Sequence, residues 1–253
     1  MIITITNNKG GVGKTTTARE LLYGLAAAGY KTLGIDLDPQ CNLSMLVNAD
    51  FTNKTIKEVI EHKIDCVDAI QETDGFYFLA SNKDVENGLV TLPSSEKNYF
   101  LSDILETVKD KFDYVIIDTP PALRELTLSA YRCSNYLIIP ANAELLSQQG
   151  FQNLHREIKA IKKHENPDLK VMGILINRVK NGNFPKLMLD SFTKEAAELF
   201  DSKVFNNIIR DSIAVQESQF MKKSVVEYKK SNPGKQNISN DFEDFIKEVI
   251  NNE

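Results

Sequence analysis

Cysteine is scarce in this chain: three in 253 residues, at Cys41, Cys66 and Cys133. They are odd in number, widely spaced and form no CxxC pair. That excludes a disulfide scaffold and suggests a reducing cytosol. Long apolar runs are missing too, since none approaches the roughly 18 residues of a membrane span. The start, Met1-Ile2-Ile3-Thr4-Ile5-Thr6, lacks the basic region and long apolar core of a secretory leader, so none is expected. Basic charge is in deficit, with 30 Lys and Arg against 35 Asp and Glu, a net charge of −5. This argues against a protein that coats nucleic acid over its whole surface, but leaves room for a local basic patch. There is no long polar linker, internal repeat or low-complexity tract, so residues 1–253 are expected to form a single domain. The hydrophobic content is an ordinary 42%, which excludes disorder as the main state. A chain of this length buries about three-quarters of its unfolded surface.

Short apolar, β-rich runs alternate with helix-length amphipathic stretches. Strands are expected at Ile2–Thr6, Thr32–Ile35, Phe76–Leu79, Tyr114–Ile117, Tyr136–Ile139 and Val171–Ile176. Helical patterns lie between most of them, at Thr15–Ala28, Tyr99–Lys109, Leu145–His164 and Lys186–Phe200. Continuous apolar strands need cover on both faces, which a parallel sheet flanked by helices supplies. The expected fold is therefore α/β: a doubly wound, mostly parallel sheet with helices on both faces. Lys229–Asn240, with Pro233 and Gly234, reads as a loop before a last helix over about 240–251.

The strongest local signal is Asn8-Lys9-Gly10-Gly11-Val12-Gly13-Lys14-Thr15-Thr16, which follows the first strand and opens the first helix. That is the setting of a phosphate-binding loop, the mark of a P-loop NTPase. The glycines permit unusual backbone angles and close approach of phosphates. The loop N–H groups of Lys9 to Thr16 and the helix N-terminus then face negative charge. Lys14 is placed to reach the β- and γ-phosphates, Thr15 to set its hydroxyl on Mg²⁺, and Thr16 to bond the α-phosphate. ATP and Mg²⁺ are the expected cofactors. The first glycine of the strict pattern is replaced by Asn8, and Lys9 adds a second cation where phosphates will sit.

Two acidic motifs end strands. Asp36-Leu37-Asp38-Pro39-Gln40 follows the second, where carboxylates face the crevice in which open α/β sheets bind ligands. Asp36 and Asp38 alternate, so both can face that site. Phe112 to Pro121 is an apolar strand ending in Asp118, the Walker B pattern of a carboxylate that holds Mg²⁺ directly or through water. Hydroxyl, carboxylate and phosphate oxygens suit Mg²⁺.

Together these motifs resemble the ParA/MinD class of P-loop ATPases. The loop resembles its deviant Walker A sequence, and Asp118-Thr119-Pro120-Pro121 its ParA signature. Ile139-Pro140, followed by Glu144 and Gly150, and Ile174 to Arg178 extend the match. The resemblance implies a homodimer that closes on ATP, with Lys9 crossing to the partner's nucleotide. It implies that Asp38 orients the attacking water, with Asp36 nearer Mg²⁺, and that Asn177 reads adenine. It further implies slow basal hydrolysis, stimulated by a ParB-like centromere-binding protein, and nonspecific DNA binding in plasmid or chromosome partition. The location implied is cytoplasmic and nucleoid-associated. The alternative is a MinD-like or protein-cargo positioning ATPase, acting on a membrane or a protein assembly.

Residues 203–235 form a locally basic segment, from which Lys222, Lys223, Lys229 and Lys230 are the candidate DNA contacts. Ala214 stands where many relatives carry an arginine implicated in DNA contact. In the last helix Phe242, Phe245, Ile246 and Val249 recur at i, i+3, i+4 and i+7, the pattern of a face packed on the core. Its polar face is acidic, which argues against a membrane partner.

Overall fold

Ile2, Ile3, Thr4 and Ile5 are all buried, as a strand covered on both faces requires. In this computed structural model they form β1 (Ile2–Ile5), near the middle of a seven-stranded sheet. The structure describes all residues except 53, 122–123, 143–147, 181–193, 233–235 and 253. The other strands are β2 (Thr32–Asp36), β3 (Gln71–Thr73), β4 (Phe76–Leu79), β5 (Tyr114–Asp118), β6 (Tyr136–Asn142) and β7 (Lys170–Asn177). Their spatial order is β3-β4-β2-β5-β1-β6-β7, and every pair is parallel except β3 with β4.

Strand side chains alternate between two cores. Ile116 of β5 points into a core with Ile3 and Ile5, whereas Val115 and Ile117 enter the core on the opposite face. On the first face lie α1 (Lys14–Ala27), α2 (Asn42–Leu46), α11 (Ile213–Phe220), α12 (Val225–Ser231) and α13 (Gln236–Ile250). The other face carries α3 (Ile56–Ile60), α4 (Cys66–Ala69), α5 (Val85–Thr91), α6 (Ser94–Lys97), α7 (Phe100–Glu106) and α8 (Glu125–Cys133). Beyond them, α9 (Gln148–His164) and α10, described over 194–200, cover β6 and β7.

The last helix confirms its apolar stripe as core: Phe242, Phe245, Ile246 and Val249 are all buried. Burial of such side chains contributes roughly 1.5–3 kcal/mol each, so this face is not free for a bilayer. No helix among the described residues is long and apolar enough to cross a membrane.

Two expectations need correction, and one further strand joins the six expected. The short polar strand β3 has no apolar run to announce it; it forms at the edge of the sheet because it can pair along β4. The helix expected over Tyr99–Lys109 ends at Glu106, and a separate 3₁₀ turn follows at Lys109–Lys111. The loop expected over Lys229–Asn240 is largely helix. Ser224 caps α12 by accepting from Glu227 N at 3.0 Å, and α12 runs to Ser231 before α13 opens at Gln236. Pro233, Gly234, Lys235 and Glu144 lie outside the described residues, as do the first parts of the helices expected at Leu145–His164 and Lys186–Phe200.

Candidate functional site

Register brings the motifs together. Ile5, the last residue of β1, pairs with Asp118 of β5, and Asp118 pairs in turn with Asp36 of β2. Three neighbouring strands therefore end at one level. The glycine-rich loop leaves from the first, and the second and third bring a carboxylate each. At the far side Asn177 closes β7 opposite Asn142 of β6. This is the crevice at the carboxyl ends of an open sheet, where such folds hold ligands.

The loop is braced at its base. Asn7 Nδ2 donates to Pro140 O at 2.8 Å, while its Oδ1 accepts from Lys9 N at 3.0 Å. Asn8, in place of a glycine, donates to Glu157 Oε2 of α9 at 2.9 Å. Gly11 (φ +73°) and Gly13 (φ +94°) occupy left-handed backbone that other residues resist. Gly13 has a second reason to be glycine, because a Cβ there would lie 2.6 Å from Asn177 Nδ2. Asn177 packs against the loop, donating to Val12 O at 3.0 Å and lying 3.4 Å from Thr17 Oγ1. Its Oδ1 is buried without a hydrogen-bond partner among the described residues. The amide thus has its donor half committed and its acceptor half open.

A cavity of about 420 Å³ opens above the loop. Gly10, Gly11, Gly13, Lys14, Thr15 and Thr16 line one side, and Asp38, Gln40, Asn177 and Arg178 another. Val12 is buried beneath it. Lys9 does not line this cavity; its carbonyl accepts from Lys14 Nζ at 3.1 Å.

Charge at the base of the site is unbalanced. Lys14 is only 7% exposed, and burial pushes its ammonium down from the usual lysine value, with Asp118 and Asp38 opposing that shift. Asp118 is fully buried and both its oxygens lack a hydrogen-bond partner among the described residues. Burial and the Asp36 charge hold its carboxyl well above the ordinary range; the nearby Thr15 hydroxyl and Lys14 oppose this without making a geometrically good bond. A buried, unpartnered carboxylate costs free energy unless a cation satisfies it. The residues present therefore fit a divalent ion beside Thr15 and Asp118.

Asp36, expected near Mg²⁺, has both carboxylate oxygens engaged by protein donors. Its Oδ1 accepts from Asp38 N at 2.9 Å, and its Oδ2 accepts from Ser44 N and Ser44 Oγ at 2.9 and 2.8 Å. Burial pushes its carboxyl up to about 6 against those donors. It shapes the turn that presents Asp38, whose Oδ1 accepts from Gln40 N at 2.9 Å.

Contacts from late in the chain were not visible in local patterns. Gln219 of α11 donates to Thr16 Oγ1 at 2.9 Å across 203 residues. A hydroxyl has one proton to donate. With Gln219 donating to the oxygen, the Thr16 proton stays free for an acceptor in the cavity. Gln219→Ala is expected to weaken ATP binding about two- to tenfold, the loss of one neutral hydrogen bond of about 0.5–1.5 kcal/mol. Titration calorimetry checks this, and unchanged affinity would show that Thr16 needs no orienting.

Known proteins resemble this chain in sequence and fold. A family model described as an AAA domain matches residues 1–171. The sporulation initiation inhibitor protein Soj of Bacillus subtilis (strain 168) is 30% identical, over 99% of this chain and 98% of its own. The chain belongs to the ParA/MinD family of P-loop ATPases. A second relative, the chromosome partitioning protein ParA of Caulobacter vibrioides (strain NA1000 / CB15N), is 30% identical over 90% of this chain and 86% of its own. Among solved structures, the septum site-determining protein MinD of Pyrococcus horikoshii OT3 with Mg-ADP superposes with a TM-score of 0.77. It is 25% identical and covers 98% of this chain and 95% of its own. As a ParA/MinD-family protein the chain is a nucleotide-hydrolysing enzyme, with ATP and Mg²⁺ as cofactors.

The candidate DNA-contacting lysines are more scattered than a basic segment suggests. Lys222 and Lys230 are exposed. Lys223 pairs with Glu227 at 3.8 Å, and Lys229 donates to Asn240 Oδ1 at 3.0 Å. Lys203 is tied to Glu248 at 3.1 Å and Arg210 to Asp241 at 2.5 Å.

Proposed function

We propose that this protein is a ParA-type partition ATPase, switching between a free form and an ATP-bound dimer that holds DNA without sequence preference. The observation that carries the reading is the pairing of two lysines on one loop with different surroundings. Lys14 is buried among Asp118 and Asp38, whereas Lys9 lies beside the cavity without lining it. Lys14 serves its own nucleotide, reaching the β- and γ-phosphates with the loop N–H groups. Lys9 serves the nucleotide of a second protomer closing face to face.

Thr15 and Asp118 hold Mg²⁺, which when bound neutralises phosphate charge. Asp38, presented by the turn that Asp36 organises, orients the attacking water. Asn177 offers its open Oδ1 to the exocyclic amine of adenine. That acceptor disfavours the carbonyl of guanine, because two acceptors would then face each other. Hydrolysis is slow until the dimer assembles, because the second lysine arrives only then. A centromere-binding partner raises the rate further.

For DNA, the exposed Lys222 and Lys230 are the principal contacts, with Lys223 and Lys229 released from Glu227 and Asn240 to join them. Ala214 is buried, so it offers no side chain to a phosphate. Dimerisation sets two such weak patches side by side, which suits a chain whose net charge of −5 opposes binding as a monomer. The relatives named for chromosome partitioning support this reading.

The experiment is a gel shift on unrelated DNA fragments with ATP, ADP or no nucleotide, at two salt concentrations, alongside the mass of the protein in solution. Binding is expected only with ATP, on every fragment, and weakened by salt with a slope of about −0.9 per phosphate contact. Lys14→Ala should abolish both dimer and shift. Absence of DNA binding in every nucleotide state would overturn partition in favour of a positioning ATPase with a protein cargo.

A further inference from the structure

On the sheet face opposite α11 to α13, a groove of about 680 Å³ runs between α3 and α4 on one side and α6 and α7 on the other. Its floor is apolar. Ile60 and Phe100 are buried there, Ile64 and Ile104 are partly exposed, and the Val67 side chain is 50% exposed. Its rim is acidic: Asp65, Asp68, Glu96 and Asp103 line it and all four are exposed. Neither lysine nor arginine lines it. Lys57 of α3 and Lys63 of the turn after it both pair with Glu61, at 3.1 and 2.6 Å. His62, which also lines the groove, stands 3.9 Å from Glu96.

Apolar surface framed by charge of one sign identifies its occupant by complementarity. Four exposed carboxylates around one groove disfavour nucleic acid and anionic lipid alike. They attract an occupant that brings cations around an apolar strip. We propose that this groove docks a cationic amphipathic helix of a partner protein, with aliphatic residues in the cleft and lysines or arginines against the rim. The groove lies on the opposite face of the sheet from the late lysines, so such a partner and DNA need not compete for surface.

The test uses a fluorescently labelled, roughly 18-residue (five-turn) amphipathic peptide of leucine and lysine. It is titrated with the full-length protein at about 0.15 M salt and read by anisotropy. Saturable binding is expected, and Asp65→Lys/Asp103→Lys should weaken it by at least about tenfold. Glu227→Lys/Asp244→Lys reverses two exposed charges on the other face, changes net charge identically and should leave the affinity within about twofold. Thermal melts and ATP titration of each variant confirm that the fold is retained. Equal weakening by both variants would reduce the effect to net charge and overturn the proposal. So would no saturable binding to the wild type, equal binding of a leucine–glutamate peptide, or a groove variant that changes only the protein's own oligomeric state.

Discussion

Lys9→Ala should bind ATP within about twofold of wild type, as a residue outside its own cavity should, yet lose hydrolysis by about 10³-fold or more, the scale of a cation supplied in trans. The two halves of that result come from different features of the loop. On the proposed reading, phosphate contacts within one protomer belong to Lys14 and the backbone N–H groups, and the substitution leaves these untouched. The Lys9 residue does not line that cavity, and its contact with Lys14 is through its backbone carbonyl, which alanine keeps. In the proposed closed dimer it would be the group that brings new positive charge to the partner's γ-phosphate as charge develops there. The checks are a nucleotide titration, an ATPase assay and the ATP-dependent mass of the protein. Full turnover in Lys9→Ala would place hydrolysis within a single protomer and remove the role assigned to dimerisation. The mixed dimer is the sharper measurement. With Lys9→Ala in one protomer, one of the two sites should remain active, so activity should be about half rather than zero.

Arg19→Met is expected to destabilise the protein by about 3–5 kcal/mol, the cost of leaving a buried charge without its partner. Arg19 and Glu20 sit side by side in α1, and both are buried. Arg19 Nη1 donates to Glu20 Oε1 at 2.9 Å, and its Nη2 reaches the carbonyls of Ser218 and Lys223. Glu20 Oε2 accepts from Val225 N at 2.9 Å. The pair therefore fastens the helix that carries Lys14 and Thr16 to the segment that carries Gln219 and the late lysines. Methionine keeps most of the volume and removes the charge.

The pH dependence of this loss distinguishes an electrostatic cause from a packing one. Burial pushes the Glu20 carboxyl up to about 7, although Arg19 and the Val225 N–H lower it. Without Arg19 it must rise further. A carboxyl whose folded value lies above its unfolded value is most favourable to the fold when protonated in both states. Stability is lost as pH climbs from the unfolded value, about 4.3, through the folded one. The deficit of Arg19→Met relative to wild type should therefore be larger at pH 8 than at pH 5. Denaturant melts at the two pH values measure it, and a deficit independent of pH would assign the loss to packing alone.

How much of this was legible in the sequence varies residue by residue. The placement of Lys14, Thr15 and Asp118 at the carboxyl ends of the strands was legible because their sequence signals are local. A glycine-rich turn between a strand and a helix, and an aspartate at the end of an apolar strand, carry their meaning within about ten residues. The parallel sheet was legible for the same reason, since strands such as Tyr114–Asp118, buried on both faces, read as unbroken apolar runs. The strand β3 was not, because Gln71-Glu72-Thr73 takes its structure from pairing with Phe76–Phe78 rather than from its own pattern.

Other features needed the folded chain. Asp36 and Asp38 look equivalent along an extended segment, and only the turn into α2 turns one inward to Ser44 and the other toward the cavity. Arg19 could have been suspected, because it shares a helix face with Leu22, three residues on, and a charge there must find a partner. Its partners Ser218 and Lys223 could not. Gln219 gave no local signal at all.

By itself, then, the sequence determined the phosphate loop, the carboxylate at the end of β5, the α/β architecture and the ATPase family, since each rests on short-range patterns of backbone freedom, charge and apolar periodicity. Tertiary structure alone decided which carboxylate shapes the turn and which faces the cavity, which lysine lines the cavity, how α11 grips Thr16, and where an acidic-rimmed groove opens. Those properties depend on the distance between side chains brought together by strand register and helix packing, and hydrogen bonds and charges act over a few ångströms of space whatever the separation along the chain.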